Sequence, residues 1–404
     1  MRAIGPVLAG CALLLASWLL LTHVGFWKRG QQPDTFVYQA YAANVLDGQL
    51  PYRDFSLEYP PAALPTFILP ELGHPSAAAY RFRFEWLMAL CGALALVAVD
   101  AALRALEASD RARLGLQALI GVSPLILGPL VLSRYDLWPA ALTVAAVAAF
   151  LRDRNRLGGA VLGLAAAAKF YPAAILPVAI AHVWQRRGRA AALRTLALFV
   201  GAFAACVVPF AILAPHGILH PVVVELKRPL EVESLGGALL MAAHHVIGLK
   251  LGLVLSYHSE SFGGTSGALA KAVTTVLELV ALAWLWVTCA RRRLSRPEFV
   301  TAAAAAVAVL LAFGKVFSPQ YLIWLLPLVP LVEPRLRRAA LPLLVAACAL
   351  TQSWYPRRAD QLALYFRAPE SWLLLARDLV VVALAVVLAR SLAAEPEPLV
   401  QSER

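Results

Sequence analysis

The sequence predicts an all-α polytopic membrane protein, and three observations carry that prediction. The 404 residues are 61% hydrophobic and only 15% charged, with a mean hydropathy of +0.71. Apolar runs able to cross the ~30 Å of a bilayer's hydrocarbon recur along the whole chain. The basic residues, which leave a formal net charge of +12, gather in short connectors between those runs. Within hydrocarbon a helix satisfies its own backbone polar groups, and runs of this length fit helices. No polar stretch is long enough to fold as a separate soluble domain, so residues 1–404 read as one integral membrane domain. The wealth of Ala, Leu and Arg points to a GC-rich bacterial genome, hence to a multi-pass protein of the bacterial plasma membrane.

Each span follows from the charges around it. Basic clusters fall in RALEASDRAR (104–113), RDRNR (152–156), RRGRAAALR (186–194), RRRLSR (291–296) and RLRR (335–338). With Arg2, Arg390 and Arg404 they hold more than half of the 36 basic residues. If all face the cytoplasm, as the positive-inside bias requires, the segments between them must cross in pairs. They do: 4–26 outward, 86–105 inward, 114–132 outward, 137–151 inward, 157–171 outward and 173–185 inward. Then 195–214, 268–290, 299–313, 320–332, 339–353 and 372–390 alternate in the same way. About twelve transmembrane helices with cytoplasmic N and C termini result. The "LAGC" at 8–11 imitates a lipoprotein cleavage box, but the apolar run continues to Phe26, so 4–26 reads as an uncleaved first span. Several segments fall short of the ~20 residues of a full crossing. Either they stop below the outer surface and leave a cavity there, or their true ends lie a few residues further out.

The connectors left on the outer face differ in kind from the arginine-rich cytoplasmic ones. The first extracytoplasmic loop, 27–85, concentrates acid and tyrosine: Asp34, Asp47, Asp54 and Glu58, with Tyr38, Tyr41, Tyr52 and Tyr59. The others are "SRYD" (133–136), "KFYP" (169–172), the long loop 215–267, "GKVFSPQY" (314–321) and "WYPRRAD" (354–360). Mixed polar groups converging on one membrane face look like a site rather than a solubility coat.

Arg134, Lys169 and Lys315 are single cations at the ends of apolar segments, flanked by aromatics and proline. Charge near membrane depth is costly, so such a residue faces a cavity with a partner or snorkels to the interface. Arg134 could also pair locally with Asp136. Three such cations on one face fit an anionic ligand with a lipid body, such as a lipid phosphate. Asp34 follows Pro33 and opens a helix with Tyr38, Tyr41 and Val45 on one stripe. Its carboxylate is suited to capping that helix or to acting as a base. The apolar segment 235–255, which holds His244, His245 and Lys250, reads as an amphipathic surface helix rather than a span.

Other chemistries lack support. The five cysteines all lie inside apolar runs, where a buried inert thiol is the default. Five of the eight histidines (His216, His220, His244, His245, His258) fall in the long loop without a tight zinc pattern, so no metal site is expected. No Walker loop, GxGxxG fingerprint, GxSxG elbow or paired CxxC occurs, so no nucleotide or other cofactor is expected. The basic charge lies along connectors and reports topology and anionic lipid rather than nucleic acid.

Five blocks in order, "LDGQLPYRDF…EYPP" after Asp34, "SRYDLWPAAL", "GLAAAAKFYPAAILP", "KRPLEVESLGGAL" and "SPQYLIWLLPLVP", resemble glycosyltransferase family 87. The resemblance runs from about residue 30 to 335. It implies the GT-C fold with an extracytoplasmic active site, a polyprenyl-phosphate sugar donor (typically mannose, as in phosphatidylinositol mannoside assembly), and a hydroxyl acceptor on a lipid-linked or cell-envelope glycan. It further implies a catalytic Asp in the first outer loop, the position matched by Asp34; Asp54, beside Arg53, is the competing base. An inverting transfer needs one carboxylate to take the acceptor proton, through a transition state like that of glycoside hydrolysis. The leaving lipid phosphate is already charged and needs cations rather than a general acid. Arg134, Lys169, Lys315 and Arg228 are the candidates for that clamp, and the scheme requires no metal. Asp136, Tyr59, Tyr171, Glu233, Ser234, Gln320 and Tyr321 are expected to contact sugar or acceptor. Tyr38, Tyr59, Tyr171 and Trp324 either stack on sugar faces or form the interfacial aromatic belt.

A secondary transporter or lipid flippase is the rival reading for twelve helices with both ends inside. That class predicts ionisable residues near mid-span and two related halves. Mid-span charges are nearly absent here, and the acidic first loop has no counterpart in the second half. The same fold with an arabinose or glucose donor is a third reading.

Overall fold

Ala and Leu lose little freedom in a helix and bury no side-chain polar group, and helices dominate the computed structural model, which describes residues 4–24, 34–256 and 259–393. In the first half are α1 (Gly5–His23), α2 (Thr35–Leu46), α3 (Leu64–Glu71), α4 (Ala77–Ala105) and α5 (Asp110–Leu127). They are followed by α6 (Leu137–Leu151), α7 (Asn155–Ala168), α8 (Leu176–Arg187) and α9 (Arg189–Leu213). The second half has α10 (His220–Lys227), α11 (Leu235–Ile247), α12 (Gly264–Arg291) and α13 (Arg296–Phe313). It closes with α14 (Pro334–Trp354), α15 (Ala359–Ala363) and α16 (Ala368–Ala393). Among the described residues, six helices are long and apolar enough to cross a membrane: α1, α4, α9, α12, α13 and α16.

Local chemistry sets several helix starts. Ser76, Ser109 and Ser295 accept backbone N–H bonds at the heads of α4, α5 and α13, each satisfying a donor the first turn would leave open. At Ser295 the Glu298 side chain reaches back to complete a capping box. Between helices, small residues let backbones meet. A Cβ on Gly159 or Gly163 of α7 would stand 2.4 Å from Thr195 O and 2.2 Å from Phe199 O of α9. This is the close approach a Gly-xxx-Gly stripe permits, and an added methyl in such a contact costs about 1–3 kcal/mol. The alanine-rich α13 is almost wholly buried, whereas α9 exposes Leu198, Val200, Val208 and Ile212, as a helix facing lipid would.

The structure corrects the sequence reading at four places. The segment 320–332 is not an α-helix but two 3-10 turns, Pro319–Trp324 and Val329–Leu331. Pro327 and Pro330 each remove a backbone donor and prevent a continuous ladder. The first connector ends at Ser76, not 85, because Ser76 caps α4 and the charges inside its first turns are accommodated. Arg81 pairs with Glu85 at 2.8 Å, and Arg83 donates to the carbonyls of Pro70 and Leu72. The surface helix expected over 235–255 stops at Ile247, where Gly248 takes the left-handed conformation (φ 72°) that glycine adopts without penalty.

The fourth correction is a small antiparallel sheet, formed by β1 (Leu230–Glu231), β2 (Gly252–Ser256) and β3 (Ser259–Gly263) in the order β1-β3-β2. Leu230 pairs with Phe262 and Glu231 with Ser261. The strand signal in "GLVLS" was hidden because its apolar residues extend the apolar run of α11. The sheet fixes where Glu231 and Glu260 stand.

Candidate active site

The aromatic and charged side chains from six separated connectors meet in one cavity of about 530 Å³, within the range of small-molecule sites. Asp34, Tyr38, Tyr41, Glu58 and Tyr59 come from the first connector; Arg134, Tyr135 and Asp136 precede α6; Lys169 follows α7. Glu225, Arg228, Glu231, Glu233 and Glu260 come from α10 and the sheet region, and Ser318, Gln320 and Tyr321 from the 3-10 segment. Tyr355 and Asp360 close the wall from the α14–α15 connection.

The charges are paired across the chain rather than along it. Asp34 stands at the N-cap position of α2, yet its side chain makes no capping bond. Its carboxylate instead pairs with the buried guanidinium of Arg134, and Tyr38 Oη donates to it at 3.4 Å. Arg134 also donates to Tyr355 Oη at 2.9 Å. Asp136, 1% exposed, accepts from Lys169 Nζ at 2.6 Å and from Trp324 Nε1 at 2.7 Å. The expected local Arg134–Asp136 pair is therefore replaced by two long-range pairs. Rings of Tyr135, Tyr321 and Trp324 surround Lys169 Nζ at 4.8, 4.7 and 5.1 Å, within the reach of cation–π attraction.

A second part of the lining is acidic. Arg228 approaches Glu58 at 3.8 Å. Glu231 accepts from Phe317 N–H at 2.7 Å and from Ser318 Oγ at 3.0 Å. Burial nonetheless pushes its carboxyl above the ordinary value, with Arg228 and those two donors opposing. Glu233 is driven well above the usual carboxyl range, first by burial and then by the neighbouring Glu231 charge, against the pull of Arg377. A carboxyl held neutral in this way can donate a hydrogen bond to a substrate oxygen.

Nine of the expected residues thus line one cavity: Asp34, Tyr59, Arg134, Asp136, Lys169, Arg228, Glu233, Gln320 and Tyr321. Four do not. Asp54 lies at the surface, held by Nε and Nη2 of the adjacent Arg53, each at 2.9 Å, and by Leu50 N–H at 2.7 Å. Those bonds favour its charged form and bring it down to about 2. Lys315 donates to the Leu226 carbonyl at 2.9 Å and is turned from the lining. Tyr171 lies beneath the lysine cage, stacked on Trp324 at 4.1 Å with its hydroxyl on Thr143. Ser234 is buried as the N-cap of α11 and donates to the Glu231 carbonyl. The stripe from Asp34 also turns inward: Tyr38 stacks on Phe67 at 4.4 Å and meets Tyr59 and Tyr135 edge-on.

Sequence reasoning missed Glu225, Glu231, Glu260, Ser318, Tyr355 and Asp360. Tyr355 and Asp360 sit in "WYPRRAD", a connector recognised as polar but carrying no role. Glu260 was legible only with the sheet in hand.

The sequence model of glycosyltransferase family 87 matches residues 57–319, well over half of the chain. The match spans the cavity residues from Glu58 to Pro319; Asp34, Gln320, Tyr321, Tyr355 and Asp360 lie beyond its limits. None of the curated proteins matches the chain.

Proposed function

The chain belongs to glycosyltransferase family 87, and from that premise we propose that this membrane glycosyltransferase moves a sugar, mannose in the first instance, from a polyprenyl-phosphate donor to a hydroxyl of a lipid-linked or cell-envelope glycan. In this reading the chain is one integral domain of GT-C architecture. It crosses the bacterial plasma membrane about twelve times with both termini cytoplasmic, and the cavity opens on the extracytoplasmic side. The transporter reading loses its ground with family membership.

The observation that carries the proposal is the meeting of the Asp34–Arg134 pair and the caged Lys169 in one cavity. The donor phosphate sits between Arg134 and Lys169, with Arg228 at the edge. The acceptor oxygen attacks the anomeric carbon from the opposite face as the C1–O bond to phosphate breaks. The electron pair leaves on the phosphate oxygen, Asp34 takes the acceptor proton, and the anomeric configuration inverts. Arrival of the phosphate competes with Asp34 for Arg134, so the base strengthens when the donor is in place. Asp136, already holding Lys169 and Trp324, orients the lysine rather than the sugar. Glu233, Gln320, Tyr321 and Tyr59 contact sugar or acceptor hydroxyls.

The test is release of free polyprenyl phosphate from labelled polyprenyl-phosphate mannose by membranes containing the protein, with bacterial membrane lipids as acceptors. Release that depends on the protein supports the donor class. Release from a polyprenyl-phosphate arabinose or glucose, but not from mannose, changes the sugar. No release from any of the three donors refutes the proposal.

A further inference from the structure

Two charges lie fully buried in α16, past the end of the family match. Arg377 and Asp378 are 0% and 1% exposed. The Arg377 Nε–Asp378 Oδ1 separation is 2.8 Å, but the contact lacks hydrogen-bond alignment. Nε and Nη1 of Arg377 and both Asp378 carboxylate oxygens have no hydrogen-bond partner among the described residues. An imperfectly satisfied buried pair is poor evidence for stability, and apolar residues of similar volume often serve a fold better. An ionisable pair at this depth calls for another explanation.

What Arg377 touches supplies one. Its Nη2 donates to the Glu233 main-chain carbonyl at 2.5 Å, and its guanidinium carbon lies 3.8 Å from the centre of the Phe317 ring. Those contacts fall on two segments that are themselves tied together. Glu231 N–H donates to the Lys315 carbonyl at 2.9 Å, while Phe317 N–H and Ser318 Oγ hold the Glu231 carboxylate. Glu231, Glu233 and Ser318 all line the cavity. One buried guanidinium therefore fastens the back of both segments whose fronts form the acidic wall.

We propose that Arg377 is a positioning residue for the transfer reaction. It acts through the 231–234 and 315–318 segments, holding Glu231, Glu233 and Ser318 against the bound sugar without touching it. This rests on the function proposed above for the cavity. Asp378 balances the charge and is otherwise dispensable.

The deciding comparison is the double variant Arg377→Met/Asp378→Leu, which removes both charges and leaves no buried ion unpaired. It is expected to melt at or above the wild-type temperature, while amides of 231–234 and 315–318 exchange hydrogen faster and those of α13 do not change. With labelled polyprenyl-phosphate mannose, kcat is expected to fall by about 10²-fold, the scale of an ångström-level misplacement, with donor KM little changed because Arg134 and Lys169 are untouched. Arg377→Lys, which can reach the carbonyl but offers no planar face to Phe317, should recover only part of that loss. Wild-type exchange at the two segments would overturn the proposal, and so would faster exchange with wild-type kcat. If the wild type itself releases no polyprenyl phosphate, the functional reading falls, and the exchange arm alone decides whether Arg377 holds these segments.

Discussion

Asp34 and Asp54 belong to the same connector, each is paired with an arginine, and the two carboxylates are about equally exposed, yet their arginines differ in origin and burial. Asp54 takes its arginine from the adjacent position, at the protein surface. Asp34 takes its own from Arg134, a hundred residues further along the chain and buried in the cavity wall. An exposed neighbouring pair is screened by water and contributes little. A pair assembled across the fold with a buried guanidinium is screened less, and in the proposed mechanism its cation also meets the donor phosphate. The difference is the ground on which Asp34 rather than Asp54 is proposed as the base: the fold has brought a distant, buried cation to meet it.

The largest expected effect is on Asp34 itself. Asp34→Asn should lower turnover of the polyprenyl-phosphate donor by about 10²–10⁴-fold, the usual contribution of a positioned base, with membrane-inserted protein level unchanged. Next comes Lys169→Met, which should cost about 10²-fold, comparable to removing one preorganised electrostatic partner. Much of that loss should persist at saturating acceptor, which distinguishes donor stabilisation from acceptor binding. Asp54→Asn should leave both turnover and melting temperature essentially as in the wild type.

A smaller effect is thermodynamic. The Glu233 carboxyl is raised from 4.5 in the folded protein, so below pH 4.5 it is protonated in both states and favours neither. As pH rises past that value the unfolded chain releases its proton while the folded protein retains it. Stability must then decline with rising pH until the raised folded value is passed. Melting temperature in detergent should fall over that window, and Glu233→Gln should reduce the slope, leaving the share due to Glu231. An unchanged slope in the variant would mean that Glu233 titrates normally.

Much of the helical framework was legible because apolar runs and their bounding arginines are local signals: 137–151 coincides with α6, and 299–313 lies within α13. Where local signals conflicted, the reading failed. Two prolines inside an apolar run broke the expected helix at 320–332, and the strand residues after Gly248 were absorbed into the apolar signal of α11. The cavity was legible as a set of types, isolated cations and acid-rich connectors ending on one face. The partners were not, because nothing in "SRYD" reveals that Arg134 turns to Asp34 while Asp136 turns to Lys169. Such pairings are decided by how the fold brings the starts of α2 and α6 and the end of α7 together, and they become visible only in three dimensions. Arg377 was hidden for a similar reason: "ARDL" in a terminal apolar run looks like a local pair, and its contacts with Glu233 and Phe317 are long-range.

The most direct test of this contrast is a pair of double-mutant cycles on kcat/KM for polyprenyl-phosphate mannose. One combines Asp34→Asn with Arg134→Met, the other Asp54→Asn with Arg53→Met. The account predicts large and strongly non-additive losses in the first cycle, because both residues act on one event, and near-wild-type, additive behaviour in the second. Additive small effects at Asp34 and Arg134, with the coupling found instead at Asp54 and Arg53, would contradict it.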